Sequence, residues 1–207
     1  MALIPLKPPT EAKARLAGLL SPAERAELAR VTFLTVADAL LGADIPFVVL
    51  TPHAAAAADL TADRCTVIEE QPTVQGLSAQ LQSALDSPSF AAADSVLILH
   101  ADLPLATPEA LRLLAAAARQ HKGCATLVES ADGGTNAMIL PFPRPFALHY
   151  GPGSFALHAA AARAAGLDVY AHHSAELALD LDTAADVEAL LASPLGRNSP
   201  ALSLIHI

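Results

Sequence analysis

Lys7, Lys13 and Arg15 follow the first apolar run of the chain, Asp102 follows the most apolar run, and Asp180 and Asp182 flank a single leucine. Cations combined with well-separated carboxylates suit metal-dependent nucleotidyl transfer. Lys and Arg hold a triphosphate and neutralise charge on a departing pyrophosphate. Hard carboxylate oxygens hold Mg²⁺, which bridges phosphate oxygens. Each of these residues also has an ordinary reading. A loop Lys or Arg is commonly just solvated, Asp182 stands where a helix begins, and Asp180 suits a turn.

Two further stretches are suited to anions. Gly133-Gly134-Thr135-Asn136 is either a tight turn or a nest of backbone N–H groups. Gly151-Pro152-Gly153-Ser154 stands at a helix start, where free N–H groups and the helix dipole favour a phosphate or carboxylate, unless Ser154 is only an N-cap. His158 comes one helical turn after Ser154 and can line the same site. The chain has no GxxxxGK[ST] loop, no GxGxxG, no GxSxG and no HExxH.

Alternating strands and helices must position these groups. Apolar runs predict strands at Met1 to Leu6, Phe47 to Thr51, Cys65 to Ile68, Val96 to Leu99, Ala125 to Val128, Ala137 to Leu140 and Asp168 to Ala171, with a short Leu179 to Asp182 segment after them. Helices are expected from Pro22 to Gly42, Gly76 to Leu85, Pro108 to about Gln120, Ser154 to near Gly166, and after Thr183. Ser21-Pro22-Ala23-Glu24, and Thr183 with Asp186, read as capping boxes. The pattern predicts a three-layer α/β/α sandwich with a mostly parallel sheet. Ligands of such sheets sit at the carboxyl ends of strands, which is where Lys7 and Asp102 fall. One domain over residues 1–193 is expected, with a loosely held tail at 194–207.

A chain of 207 residues with 53% apolar content supplies a core without staples. The net charge of −9 argues against a non-specific nucleic-acid or anionic-membrane binder. Cys65 and Cys124 form no CxxC pair, so neither a zinc site nor a disulfide framework is expected. No run reaches the roughly 20 apolar residues of a membrane span. The expectation is a soluble cytoplasmic protein, with an exposed sheet edge that would suit a homodimer.

The ordered set of short motifs resembles the phosphoenolpyruvate and 2-phospho-L-lactate guanylyltransferase family of deazaflavin (coenzyme F-420) biosynthesis. The stretches that carry the resemblance are Ile4-Pro5-Leu6-Lys7, Ala12-Lys13-Ala14-Arg15-Leu16-Ala17, Leu20 to Arg25, Gly76-Leu77, Ala101-Asp102-Leu103-Pro104, Gly133 to Ala137, Tyr150-Gly151-Pro152-Gly153-Ser154-Phe155, His158, Leu179 to Thr183 and Asp186. The resemblance implies a nucleotide-diphospho-sugar transferase-like fold and transfer of a guanylyl group from GTP to a small phosphorylated carboxylic acid. The acids known for the family are phosphoenolpyruvate, 2-phospho-L-lactate and 3-phosphoglycerate, and phosphoenolpyruvate is the one favoured here. Lys7, Lys13 and Arg15 would face the phosphates of GTP, and Gly76, Leu77 and Ser78 its nucleoside. Asp102, Asp180 and Asp182 would hold Mg²⁺. Thr135, Asn136, Gly151, Ser154 and His158 would line the acceptor. Ser78 stands where the family commonly has Asn, and His100 where a small residue or proline is common. A cytidylyl- or sugar-nucleotide-type transferase, or a non-catalytic nucleotide-binding protein, are the alternatives.

Overall fold

Ser21 starts the first long helix by a reciprocal pair of bonds. Its hydroxyl accepts from the Glu24 N–H at 3.3 Å, and the Glu24 carboxylate accepts from the Ser21 N–H at 2.7 Å. Pro22 takes the first helical position, where its missing N–H costs nothing. The resulting helix, α1 (Pro22–Gly42), buries Leu28, Phe33, Val36 and Leu40 along one stripe. The computed structural model describes residues 1–8, 12–55, 57 and 64–205.

Among the described residues, seven strands form one sheet: β1 (Ala2–Pro5), β2 (Phe47–Thr51), β3 (Thr66–Glu69), β4 (Ser95–Leu99), β5 (Ala125–Glu129), β6 (Thr135–Pro141) and β7 (Val169–Ala171). Their order is β3-β2-β1-β4-β6-β5-β7, and β6 alone runs against the rest. The other long helices are α2 (Leu77–Leu85), α3 (Pro108–Gln120) and α4 (Ser154–Ala164), followed by the one-turn α5 (Ala175–Ala178) and by α6 (Ala184–Ala192).

Alternation along the strands divides the core into two layers. Ala2, Ile4, Leu97 and Leu99 pack with Phe33 and Leu40 of α1 and Leu111 and Leu114 of α3. Leu3, Val48, Val96 and Ile98 pack on the opposite face with Leu81 and Leu85 of α2 and Ala162 of α4. Each large side chain removed from water contributes about 1.5–3 kcal/mol. The expected three-layer α/β/α sandwich and its mostly parallel sheet are both present.

Three local expectations change. The continuous apolar run at 65–68 implies a strand buried on both faces. It forms β3 as the outermost strand, half-exposed, because only β2 pairs with it. Leu179 to Asp182 joins no strand pair. It is a connecting segment, preceded by the unforeseen α5 and fastened by the Leu181 N–H donating to Asp102 O at 3.1 Å. The segment after Ser193 is docked: 3₁₀ turns at Gly196–Asn198 and Pro200–Leu204 bury Ala201 and Ile205 against Leu16, Leu28, Leu181 and Leu190. The Ser199 hydroxyl also donates to Pro104 O at 2.8 Å. Pro194 and Pro200 with scattered polar residues hid this docking, because the apolar partners are supplied by other elements.

Candidate active site

Leu6 continues the β1 ladder, its N–H donating to Leu50 O at 2.8 Å, and the chain leaves the sheet at Lys7. It returns at a 3₁₀ turn, Ala14–Leu16, anchored by the fully buried Leu16 against Leu181. Lys13, just before that turn, has left-handed backbone angles (φ 58°, ψ 33°). This costs an L-residue about 1 kcal/mol, and it turns the lysine inward. Lys13 is 8% exposed, and its ammonium donates to Asp102 Oδ2 at 2.9 Å and to Asp182 Oδ1 at 3.1 Å.

Asp102 follows β4, whose last four residues are buried. Asp182 is aimed by the cap of α6. The Asp186 carboxylate accepts from the N–H groups of Asp182 (3.0 Å) and Thr183 (2.6 Å), which fixes the backbone immediately after Asp182. Asp180 is aimed from the sheet: Asn136 Nδ2 donates to Leu177 O and Ala178 O, each at 3.1 Å, and reaches Asp180 Oδ1 at 3.3 Å. One oxygen from each of Asp102, Asp180 and Asp182 lies within 4.8 Å of the others.

The electrostatics follow from this crowding. Burial favours the neutral acid at Asp102, but Lys13, and after it His100, outweigh burial and hold its pKa well below the usual carboxylate range. Burial also opposes charge on Lys13, yet Asp102 and Asp182 hold its pKa above the ordinary lysine value. Asp180 moves the other way. Burial, and then the carboxylates of Asp102 and Asp182, push its pKa up despite the bond from Asn136. The cluster therefore carries more negative charge than Lys13 balances. Asp102 Oδ1 is buried with no hydrogen-bond partner. Three hard oxygen donors, excess negative charge and one unpaired buried oxygen fit a divalent cation of the magnesium type.

The second half of the site is built on β6. Because β6 runs antiparallel to β4, its first residues lie at the carboxyl end of β4, and the His100 N–H donates to Asn136 O at 2.9 Å. Thr135 is buried beside α4, where its hydroxyl lies 3.0 Å from His158 Nδ1 and accepts from the Ser154 hydroxyl at 3.2 Å. His158 Nε2 accepts the His149 N–H at 2.9 Å. That bond leaves Nδ1 as the protonated nitrogen of a neutral ring, donating to Thr135. Burial, with His149 and His100 adding to it, lowers the His158 pKa to about 4.

The cap of α4 is Gly153, at φ 68°, and not Ser154, whose hydroxyl faces Thr135. Two of the N–H groups expected to be free are engaged, Ser154 N with Gly151 O and Phe155 N with Gly133 O. Asn136, expected among the acceptor ligands, has its amide committed to the segment that carries Asp180.

Of the three cations, only Lys13 reaches the carboxylates. Arg15 is exposed and its charge acts on Asp132, in the turn before Gly133. Lys7 is exposed and its charge acts on Glu70, just past β3. Gly76 (φ 83°) caps α2, Leu77 opens that helix, and the Ser78 hydroxyl accepts the Tyr150 N–H at 2.8 Å, which joins α2 to the loop before α4. Sequence reasoning did not anticipate the stack that joins the two halves: the His100 ring lies 5.4 Å from that of Tyr150, and Tyr150 meets His158 edge-on at 4.8 Å. These rings come from three separate elements, so no local spacing signals the stack.

The chain matches the family described as "Guanylyl transferase CofC like" over residues 1–200. It is 35% identical over 201 residues to a phosphoenolpyruvate guanylyltransferase of Sphaerobacter thermophilus, covering 96% of each chain. It is 36% identical to a 2-phospho-L-lactate guanylyltransferase of Halomicrobium mukohataei, covering 91% of this chain and 84% of that protein. It is 35% identical to a 3-phospho-D-glycerate guanylyltransferase of Phenylobacterium zucineum, covering 91% and 88%. The fold is similar to that of a nucleotidyl transferase from Methanothermobacter, with a TM-score of 0.61 and 18% identity over 92% of this chain and 95% of that one. The motifs in their order, the carboxylate cluster and these relatives agree, and the chain belongs to the CofC-like guanylyl transferase family.

Proposed function

We propose that the protein transfers the guanylyl group of GTP to the phosphate of a small phosphorylated carboxylic acid, with phosphoenolpyruvate as the first candidate, in biosynthesis of the deazaflavin cofactor. The observation that carries this reading is the bonding of Lys13 to Asp102 and Asp182, clustered with an Asp180 that is held by Asn136, the residue after the Thr135 of the Thr135–Ser154–His158 network.

In this reading a phosphate oxygen of the acceptor attacks the α-phosphorus of GTP. One P–O bond forms to the acceptor, the bond from the α-phosphorus to the bridging oxygen breaks, and pyrophosphate leaves with that oxygen. The acceptor phosphate is already anionic near neutral pH, so no general base is required. Lys13 neutralises phosphate charge from a fixed position, and Arg15 and Lys7 extend the positive field on either flank. Asp102, Asp180 and Asp182 would hold Mg²⁺, which would neutralise phosphate oxygens when bound. Gly76, Leu77 and Ser78 would border the nucleoside. Thr135, Gly151 and Ser154 would bind the acceptor. The neutral His158 donates to Thr135 Oγ1, leaving the threonine O–H free to point at an anion.

Pyrophosphate release from GTP with Mg²⁺, offered phosphoenolpyruvate, 2-phospho-L-lactate and 3-phosphoglycerate separately, tests the reading. Release that depends on one acid supports it and names the acceptor. Equal release from CTP, or GTP binding without release on any acid, would overturn it.

A further inference from the structure

Six buried side-chain polar atoms among the described residues have no hydrogen-bond partner, and three of them lie on residues in contact: Asp102 Oδ1, His100 Nε2 and Tyr150 Oη. His100 Nδ1 stands 4.0 Å from Asp102 Oδ1, and the His100 and Tyr150 rings lie 5.4 Å apart. An orphaned buried polar group destabilises the free protein, so a cluster of them in one place needs an explanation. Asp102 Oδ1 has one in the cation. His100 Nε2 and Tyr150 Oη do not.

Both side chains are held in place by bonds that leave these two atoms uncommitted. The Tyr150 N–H donates to Ser78 Oγ at 2.8 Å, and its ring rests edge-on against His158, which is itself bonded on both nitrogens. The His100 N–H is fastened to Asn136 O. The pair bridges the Asp102 side of the site and the Thr135–Ser154 side. On the reading proposed above, the small acid must span that interval. Its phosphate reaches the guanylyl group near the carboxylates, while its other end lies by Thr135.

We propose that His100 Nε2 and Tyr150 Oη hydrogen-bond an oxygen of the phosphorylated acid other than the attacking one, and so select which acid is accepted. This inference rests on the guanylyl-transfer reading. A site with buried groups that only the correct substrate satisfies rejects analogues that leave them unpaired.

Tyr150→Phe removes one oxygen and keeps the ring contacts, and His100→Phe removes the nitrogens and keeps a ring against Tyr150. Each variant is expected to raise KM for the acceptor at least about 30-fold, with KM for GTP within about twofold. The melting temperature of Tyr150→Phe is expected to equal or exceed that of the wild type, because the lost hydroxyl has no partner in the free protein. Acceptor KM within about twofold of wild type in Tyr150→Phe, or a melting temperature lowered by several degrees, overturns the inference while leaving guanylyl transfer standing. Calorimetric titration of each acid into the GTP-saturated wild type separates the two claims. Binding without pyrophosphate release overturns the transfer reading alone, and binding of none of the acids overturns both.

Discussion

The Lys13 ammonium sits 2.9 Å from Asp102 Oδ2 across 89 residues of sequence, bonded to two of the three carboxylates that could hold a metal ion. Its positive charge therefore opposes a second cation on the same carboxylates. Replacing Lys13 with Met leaves Asp102, Asp180 and Asp182 without their internal counter-charge. Mn²⁺ binding to the nucleotide-free protein, followed by paramagnetic resonance, should tighten at least about tenfold. Turnover should fall about 100-fold or more, because the fixed charge on the triphosphate is lost. Unchanged or weaker Mn²⁺ binding would mean that the lysine charge does not oppose the metal.

Asp102→Asn tests the same cluster from the other side. The amide still fits and still accepts from Lys13, but it supplies no charge to a cation. Turnover should drop about 100- to 1,000-fold, with stability lowered by about 1–3 kcal/mol in chemical denaturation. Wild-type turnover in a folded Asp102→Asn protein would remove the residue from the metal site.

Asn136 acts on Asp180 through bonds and not through substrate. Asn136→Ala frees the Leu177 and Ala178 carbonyls and releases Asp180. The expected outcome is a stability loss of about 1–3 kcal/mol together with a 10- to 100-fold loss of metal affinity, of the order seen when ligand-orienting partners are removed. Loss of stability with metal affinity intact would confine Asn136 to a structural role.

His158 makes stability depend on pH. Its pKa is about 4 in the folded protein and about 6.5 in an unfolded chain. Between those values the unfolded state binds the proton and the native state does not, so stability is fully present above pH 6.5 and is lost as pH falls towards 4. The loss attributable to this one residue is of the order of 3 kcal/mol by pH 4. Denaturation midpoints measured across that window should fall less steeply in His158→Leu than in the wild type. Parallel slopes would show that the ring is protonated in the native state.

Gly196 tests the docked C-terminal segment. A Cβ there would collide with the Leu190 carbonyl oxygen. Gly196→Ala should therefore destabilise the protein by about 1–3 kcal/mol as the turn lifts away from α6. A melting temperature equal to wild type would mean that residues 196–205 contribute little to the fold.

Local chemistry marked the long helices and the buried strands. Ser21 with Glu24 and Thr183 with Asp186 start helices by bonds within four residues, and Val96 to Leu99 is apolar enough to be buried on both faces wherever it is placed. Position after such a strand also marked Asp102 as a candidate, because carboxyl ends of parallel strands gather in one cleft. The direction of β6, by contrast, depends on its partners. Only its reversed course places Thr135 and Asn136 beside His100. Lys13, and neither Lys7 nor Arg15, meets Asp102 and Asp182, on a turn whose Leu16 is buried in the same cluster as Leu181. Side-chain type and short spacing record what a residue is able to do. Which residues act together is settled by hydrogen bonds and apolar contacts between segments far apart in the chain, whose energies appear only once the sheet has closed around them.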